Sequence, residues 1–84
     1  MKPIRLTKHA EEQCLERGAS KEEIVESIEK GIRKPAKKNR EIVTYNFPFN
    51  NYWQGKFYSI KQVAPVIKEE YNEIVVITVY VFYF

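Results

Sequence analysis

Apolar residues recur with a helical period in the first third of the chain and with a strand period in most of the rest. Leu6, Ala10 and Cys14 share one stripe at ~100° per residue, between Thr7 as an N-cap and Gly18 as a stop, so the spacing predicts a helix there. Ser20 followed by Glu23 forms a capping box, Ile24, Val25 and Ile28 recur at helical spacing, and Gly31 ends this second helix with Ile32 just beyond it. Two short helices are therefore expected to open the chain as a hairpin. Arg33 to Asn39 is basic, contains Pro35 and has no apolar period, which reads as a loop.

Beyond the loop the period becomes that of strands. Glu41 to Phe47 alternates, with Val43, Tyr45 and Phe47 on one face, until Pro48 and the Asn50-Asn51 pair break the run. Gly55 precedes a second extended segment, Phe57 to Lys68, in which Pro65 cannot donate to a ladder and so marks an edge or a bulge. Glu70-Tyr71-Asn72-Glu73 has the character of a hairpin turn. Ile74 to Phe84 is apolar on both faces, with Val75, Ile77, Val79, Val81 and Tyr83 on one and Ile74, Val76, Thr78, Tyr80, Phe82 and Phe84 on the other. A strand covered on both sides is normally central. The expected architecture is an α+β domain over residues 1–84, with a two-helix hairpin packed on one face of a three- or four-stranded, mostly antiparallel sheet. The opposite face, carrying Thr78 and Tyr80, needs a ligand, a subunit interface or the aromatic Phe47 to Tyr58 segment to cover it.

Composition narrows the chemistry. Eighty-four residues allow one domain with a small core. A net charge of +3 is compatible with nucleic acid but does not require it. Its distribution says more, because Arg33, Lys34, Lys37, Lys38 and Arg40 cluster in one segment while Glu11, Glu12, Glu16, Glu22, Glu23, Glu26 and Glu29 lie on the two helices. One acidic side and one basic side are expected. Cys14 is the only cysteine, so neither an internal disulfide nor a cysteine metal cluster is available, and its stripe position suggests a buried hydrophobe. Met1 to Arg5 leads into a polar helix rather than an apolar h-region, and Ile74 to Phe84 is too short to span a bilayer as a helix. A cytoplasmic protein without membrane contact is expected.

Arg17 falls inside the apolar stripe of the first helix, and the sole histidine, His9, at its edge. An arginine so placed needs either a carboxylate elsewhere in the fold or an anionic ligand. One histidine and scattered glutamates give no metal-ligand spacing, the three glycines form no phosphate loop, and no serine sits in a nucleophile turn. Chemistry by cations, a histidine and phenols without a cofactor remains. Metal-free cleavage of RNA fits that inventory: the ribose 2′-hydroxyl attacks, a base removes its proton, and fixed cations stabilise the phosphorane. His9 would be base or acid, Arg17 and Lys61 anion stabilisers, and Thr78 and Tyr80 would complete the site, Tyr80 as donor or stacking surface.

His9-Ala10, then Arg17-Gly18, then Ala19-Ser20-Lys21-Glu22-Glu23-Ile24, and finally Val76-Ile77-Thr78-Val79-Tyr80 resemble in order and spacing the small prokaryotic domain-of-unknown-function family 4258, over nearly the whole chain. The family's arginine three residues beyond the alanine of the His-Ala pair is Gln13 here. The resemblance implies kinship with the RelE-type and BrnT-type toxin fold, in which helices precede an antiparallel sheet that cradles RNA. It also brings in an antitoxin-like protein as a partner.

Two functional expectations follow. The first is a toxin-like, metal-independent endoribonuclease, or a descendant that still binds RNA, with Arg33, Lys34, Lys37, Lys38 and Arg40 on phosphates and Tyr52 or Trp53 stacking bases. The rival is a non-catalytic interaction domain whose exposed aromatic face binds a partner protein or a second copy of the chain. Each residue also has a plainer role: His9 as a surface group, Thr78 and Tyr80 as strand formers, Tyr52 and Trp53 closing the core, Lys61 facing solvent, and the charge run as a solvated connection.

Overall fold

Thr7 and Ser20 start the two helices by the same device, a side-chain oxygen that takes a backbone N–H left without a partner in the first turn. In the computed structural model, which describes Met1–Phe84, α1 runs Lys8–Arg17 and α2 runs Lys21–Lys30. Thr7 Oγ1 accepts from the Ala10 N–H at 3.1 Å, and Ser20 and Glu23 exchange both bonds of the capping box at 3.1 and 2.9 Å. Gly18 ends α1 in the left-handed region at φ 79°, and a Cβ there would lie 2.7 Å from the Tyr83 hydroxyl and 2.8 Å from the Trp53 ring. Conformation and space both demand glycine.

Five strands make one mixed sheet in the order β1-β5-β4-β3-β2. They are β1 (Ile4–Leu6), β2 (Ile32–Pro35), β3 (Glu41–Trp53), β4 (Lys56–Glu69) and β5 (Ile74–Tyr83). Two of them correct the expected architecture. β1 precedes the helices and pairs in parallel with Ile74–Val76, so the chain does not open with α1, and Leu6 reaches the core from a strand. Three residues are too short to display a period, and their partner lies at the far end of the chain. β2 replaces the expected loop: all four of its residues are exposed, so burial left no pattern, yet it pairs antiparallel with Glu41–Thr44. The turn between them places Lys38 and Asn39 at φ 62° and 60°.

The remaining strands follow the sequence more closely. β3 and β4 form a long hairpin whose two-residue turn, Gln54-Gly55, has φ 51° and 84°, the signature of a type I′ turn. Asn50-Asn51 does not end β3; the register shifts between Pro48 and Asn51 and the strand continues. Pro65 sits in an interior strand, not at an edge. Pairing with β3 stops at Ile42↔Val66 and resumes at Tyr45↔Val63, so no ladder bond is asked of Pro65, and a bulge between Val66 and Ile67 follows immediately. On β5 that bulge makes Ile77 the extra residue between Val76, opposite Ile67, and Thr78, opposite Val66. The alternation of β5 therefore switches at Ile77. Ile74 and Val76 share the helix-side face with Val79 and Val81, and a strict period of two cannot describe the strand.

Ala10, Cys14, Ile24 and Ile28 pack from the helices onto Val43, Val63, Ile67, Ile74, Val76 and Val79. Burial is the main cause that pushes the Cys14 thiol above its ordinary pKa, with Glu11 and Glu23 adding to it, so Cys14 acts as a small hydrophobe. The other face of the sheet has no layer over it and leaves Ile32, Ile60, Tyr80, Phe82 and Phe84 exposed. No helix is long and apolar enough to cross a membrane.

Candidate functional site

Beyond Val76 strand β1 has ended, and the outward-facing backbone groups of β5 need other partners. Helix α1 supplies them from side chains. Thr7 accepts no strand role but donates its N–H to Val76 O at 3.0 Å and its hydroxyl to Ile77 O at 3.2 Å. Gln13 Oε1 accepts the Val79 N–H at 2.8 Å, and Arg17 Nη1 donates to Val79 O at 2.7 Å, so the two side chains together take the place of an edge strand at Val79. The Thr78 hydroxyl also donates to Gln13 Oε1, and His9 Nε2 stands 3.5 Å from the same hydroxyl. His9, Gln13 and Arg17 are spaced four apart and so line one side of α1, beside the Ala10 and Cys14 stripe.

Arg17 then turns onto the open face of the sheet, with its Cζ 5.3 Å from the centre of the Tyr80 ring. Its carbonyl accepts from the Tyr83 hydroxyl at 2.7 Å. Burial first, and then the charge of Glu23, raise the Tyr83 pKa, which keeps that phenol a neutral donor. No carboxylate reaches the Arg17 guanidinium; a backbone carbonyl is its hydrogen-bond partner, and its other N–H groups make no hydrogen bond within the protein.

His9, Arg17, Thr78 and Tyr80 thus come together along one edge, while Lys61 does not join them. The residue is buried at 7% exposure, with its ammonium 2.9 Å from Gly18 O and 2.8 Å from Glu23 Oε2 and over the Phe49 ring at 5.5 Å. Trp53 is half-buried, stacks on Tyr83 at 5.1 Å and 13°, and lies over Gly18. Tyr52 is 68% exposed and packs edge-on against Phe57 near the tip of the β3–β4 hairpin. Of the basic segment, Arg33 is engaged with Glu69 at 2.9 Å and Glu41 at 3.5 Å. Lys34, Lys37 and Lys38 are exposed and meet no carboxylate; Arg40 is half-buried.

Two residues of this region escape a reading by residue type. Gln13 is the hub of the edge; the four-residue spacing puts it between His9 and Arg17, but its partners on β5 are supplied by tertiary packing alone. Glu23 serves both the capping box and Lys61; the cap motif explained it fully in sequence, so nothing pointed to its second role. No group of three His, Cys, Asp or Glu side chains is placed to hold a metal ion. The three surface depressions lie along α2, beside Gly31 and Thr44, and between α1 and α2, none of them at the β5 edge.

The family model described as Domain of unknown function (DUF4258) matches residues 6–81. No curated protein and no solved structure matches the chain.

Proposed function

The chain belongs to the DUF4258 family, and from the geometry of its β5 edge we propose that it is a toxin-like RNA-binding domain whose site can cleave RNA without a metal. The observation that carries this reading is Arg17: a guanidinium fixed by one backbone carbonyl, free of any carboxylate, over an exposed aromatic ring and on the same side of α1 as the only histidine. Arg17 meets a phosphate, and Tyr80 offers its ring to a base. His9 removes the 2′-hydroxyl proton; the 2′-oxygen bonds to phosphorus as the bond from phosphorus to the 5′-oxygen of the next nucleotide breaks, that oxygen takes a proton from water, and the ends are a 2′,3′-cyclic phosphate and a 5′-hydroxyl. Arg17 stabilises the extra negative charge of the phosphorane. Thr78 and Gln13 position His9 and Arg17.

Labelled single-stranded RNA incubated with the protein in EDTA tests the reading. Cyclic-phosphate ends are expected, with His9→Ala slowing their formation by ~10² and Arg17→Ala weakening RNA binding. Cleavage that survives His9→Ala removes the assigned mechanism. A second reading rests on Ile32, Phe82 and Phe84, which stay exposed on the uncovered face: an antitoxin-like protein or a homodimer would bury them. It expects a change of mass in solution and no RNA binding.

A further inference from the structure

We infer that a single-stranded nucleic acid lies across the strands of the open sheet face, anchored by Arg17 at the β5 edge and by Lys34 with the Lys37-Lys38 turn at the β2 edge. The inference rests on the RNA reading above and extends it from one contact to a track. The register sets the geometry. Thr78 pairs with Val66, Val66 with Ile42, and Ile42 with Lys34, which makes one row across four strands on the face away from the helices. Three interstrand steps of ~4.8 Å put Thr78 and Lys34 ~14 Å apart. Between the two cationic edges the floor is apolar or neutral. Tyr80 and Phe82 stack with centroids 6.4 Å apart, and the Gln62 amide is bonded to Asn46 at 2.9 Å.

Charge decides which ligand suits this face. The carboxylates without an ion-pair partner are Glu11, Glu12, Glu16, Glu22, Glu26 and Glu29, all on the two helices. Glu41 lies opposite buried Ile67, so it points to the helix side, where Arg33 meets it. The carboxylates that reach the open face, Glu70 and Glu73, lie at the end where β4 turns into β5 and are already paired with Lys68 and Arg5, while cations without ion pairs stand at both of its edges. A second copy packed face to face would bring Arg17 and Lys34 from both chains to one rim with no unpaired acid on that face to answer them. A polyanion with stacking bases satisfies both the rims and the floor. Open four-stranded sheets with exposed aromatics stack about two or three bases, so phosphates on either side of those bases reach the two anchors, and about four nucleotides fill the track.

Fluorescence anisotropy at low salt with labelled di-, tetra- and octauridylate, octathymidylate and a short RNA duplex tests this. The tetramer should bind at least about tenfold more tightly than the dimer, the octamer little better, and the duplex weakly. The triple variant Lys34→Glu, Lys37→Glu, Lys38→Glu, checked for its fold by circular dichroism, should reduce the tetramer to the dimer's affinity and lower the salt slope. Arg17→Ala should weaken dimer and tetramer alike. Preference for uridylate over thymidylate assigns the track to RNA through its 2′-hydroxyl; equal binding assigns it to single strands of either sugar. Binding that ignores length, or that the triple variant leaves unchanged, overturns the track while the edge site stands. Failure of every oligonucleotide to bind overturns the RNA reading itself, and a dimer in sedimentation that Phe82→Ala dissociates would then make a second copy the occupant.

Discussion

Lys61 and Arg17 flank the same residue, Gly18, and meet the cost of a cation near an apolar core in opposite ways. Lys61 comes from the middle of β4, cannot reach water, and is answered by Glu23 and Gly18 O. Arg17 comes from the last turn of α1 and needs only Val79 O, because its guanidinium clears the edge of the sheet onto the open face. Position in the fold, not residue type, separates them. A buried cation demands a carboxylate, and once neutralised it has nothing left to offer a ligand; a cation at an edge keeps most of its donors. By chemistry alone both residues qualify as anion stabilisers; in the fold Lys61 is buried and paired with Glu23, while Arg17 meets no carboxylate.

The strongest test of that contrast is Lys61→Ala. Truncation leaves the Glu23 carboxylate, at 22% exposure, facing an apolar pocket, and breaking such a pair costs about 3 kcal/mol. For a domain of this size that lowers Tm on the order of 10–20 °C. RNA binding measured well below the new Tm should stay close to wild type. An unaltered melting curve with lost binding would reverse the two roles. Gly18→Ala comes next: its φ of 79° and a Cβ 2.7 Å from the Tyr83 hydroxyl together cost about 2 kcal/mol, and both cations should feel it because they share this junction. Arg17→Ala should remove about 1 kcal/mol of stability, the net worth of one hydrogen bond at an edge open to water, while RNA affinity drops about tenfold or more. A stability loss as large as that of Lys61→Ala would mean that Arg17 is a core residue and not a ligand-facing one.

How much of this could be read from sequence depends on how local each signal is. The caps at Thr7 and Ser20, the stop at Gly18, and the central place of Ile74 to Tyr83 are written within a few residues, and they hold. β1 and β2 are short, and one is fixed by a distant partner while the other is exposed throughout, so neither left a period. Strict alternation predicts the wrong faces for part of β5, because one bulge at Ile77 reverses it, and a bulge is a property of the β4–β5 pair rather than of β5. At the site, the gathering of His9 and Arg17 follows from their spacing on α1. The roles of Gln13 and Glu23 do not, because each bonds a group brought close only by tertiary packing.

The smallest expected effect is a pH dependence that should distinguish the Gly18 junction from the β5 edge. Tyr83 belongs to the junction: it stacks on Trp53, and burial, followed by Glu23, raises its pKa above the ordinary 10.0. A folded pKa above the unfolded one means that the stabilisation is complete below pH 10.0 and is lost as pH rises through the folded value. The acid limb has the opposite sign. The hydrogen bond from Arg5 lowers the pKa of Glu73, and those from Arg33 and Lys2 lower that of Glu69, so their contribution is present above the ordinary 4.5 and disappears as pH falls through the folded values. Both glutamates are exposed, so the acid slope should be shallow and sensitive to salt. Melting temperatures followed across the alkaline range should show Tyr83→Phe with a flatter limb than wild type, since the phenol that ionises is gone. Arg17→Ala should keep the wild-type alkaline slope, because it leaves in place both the Tyr83 phenol and the backbone carbonyl of residue 17 that accepts from it. A slope that flattens equally in both variants would mean that junction and edge respond to pH as one unit, and the separation of Lys61 from Arg17 would not extend to their surroundings.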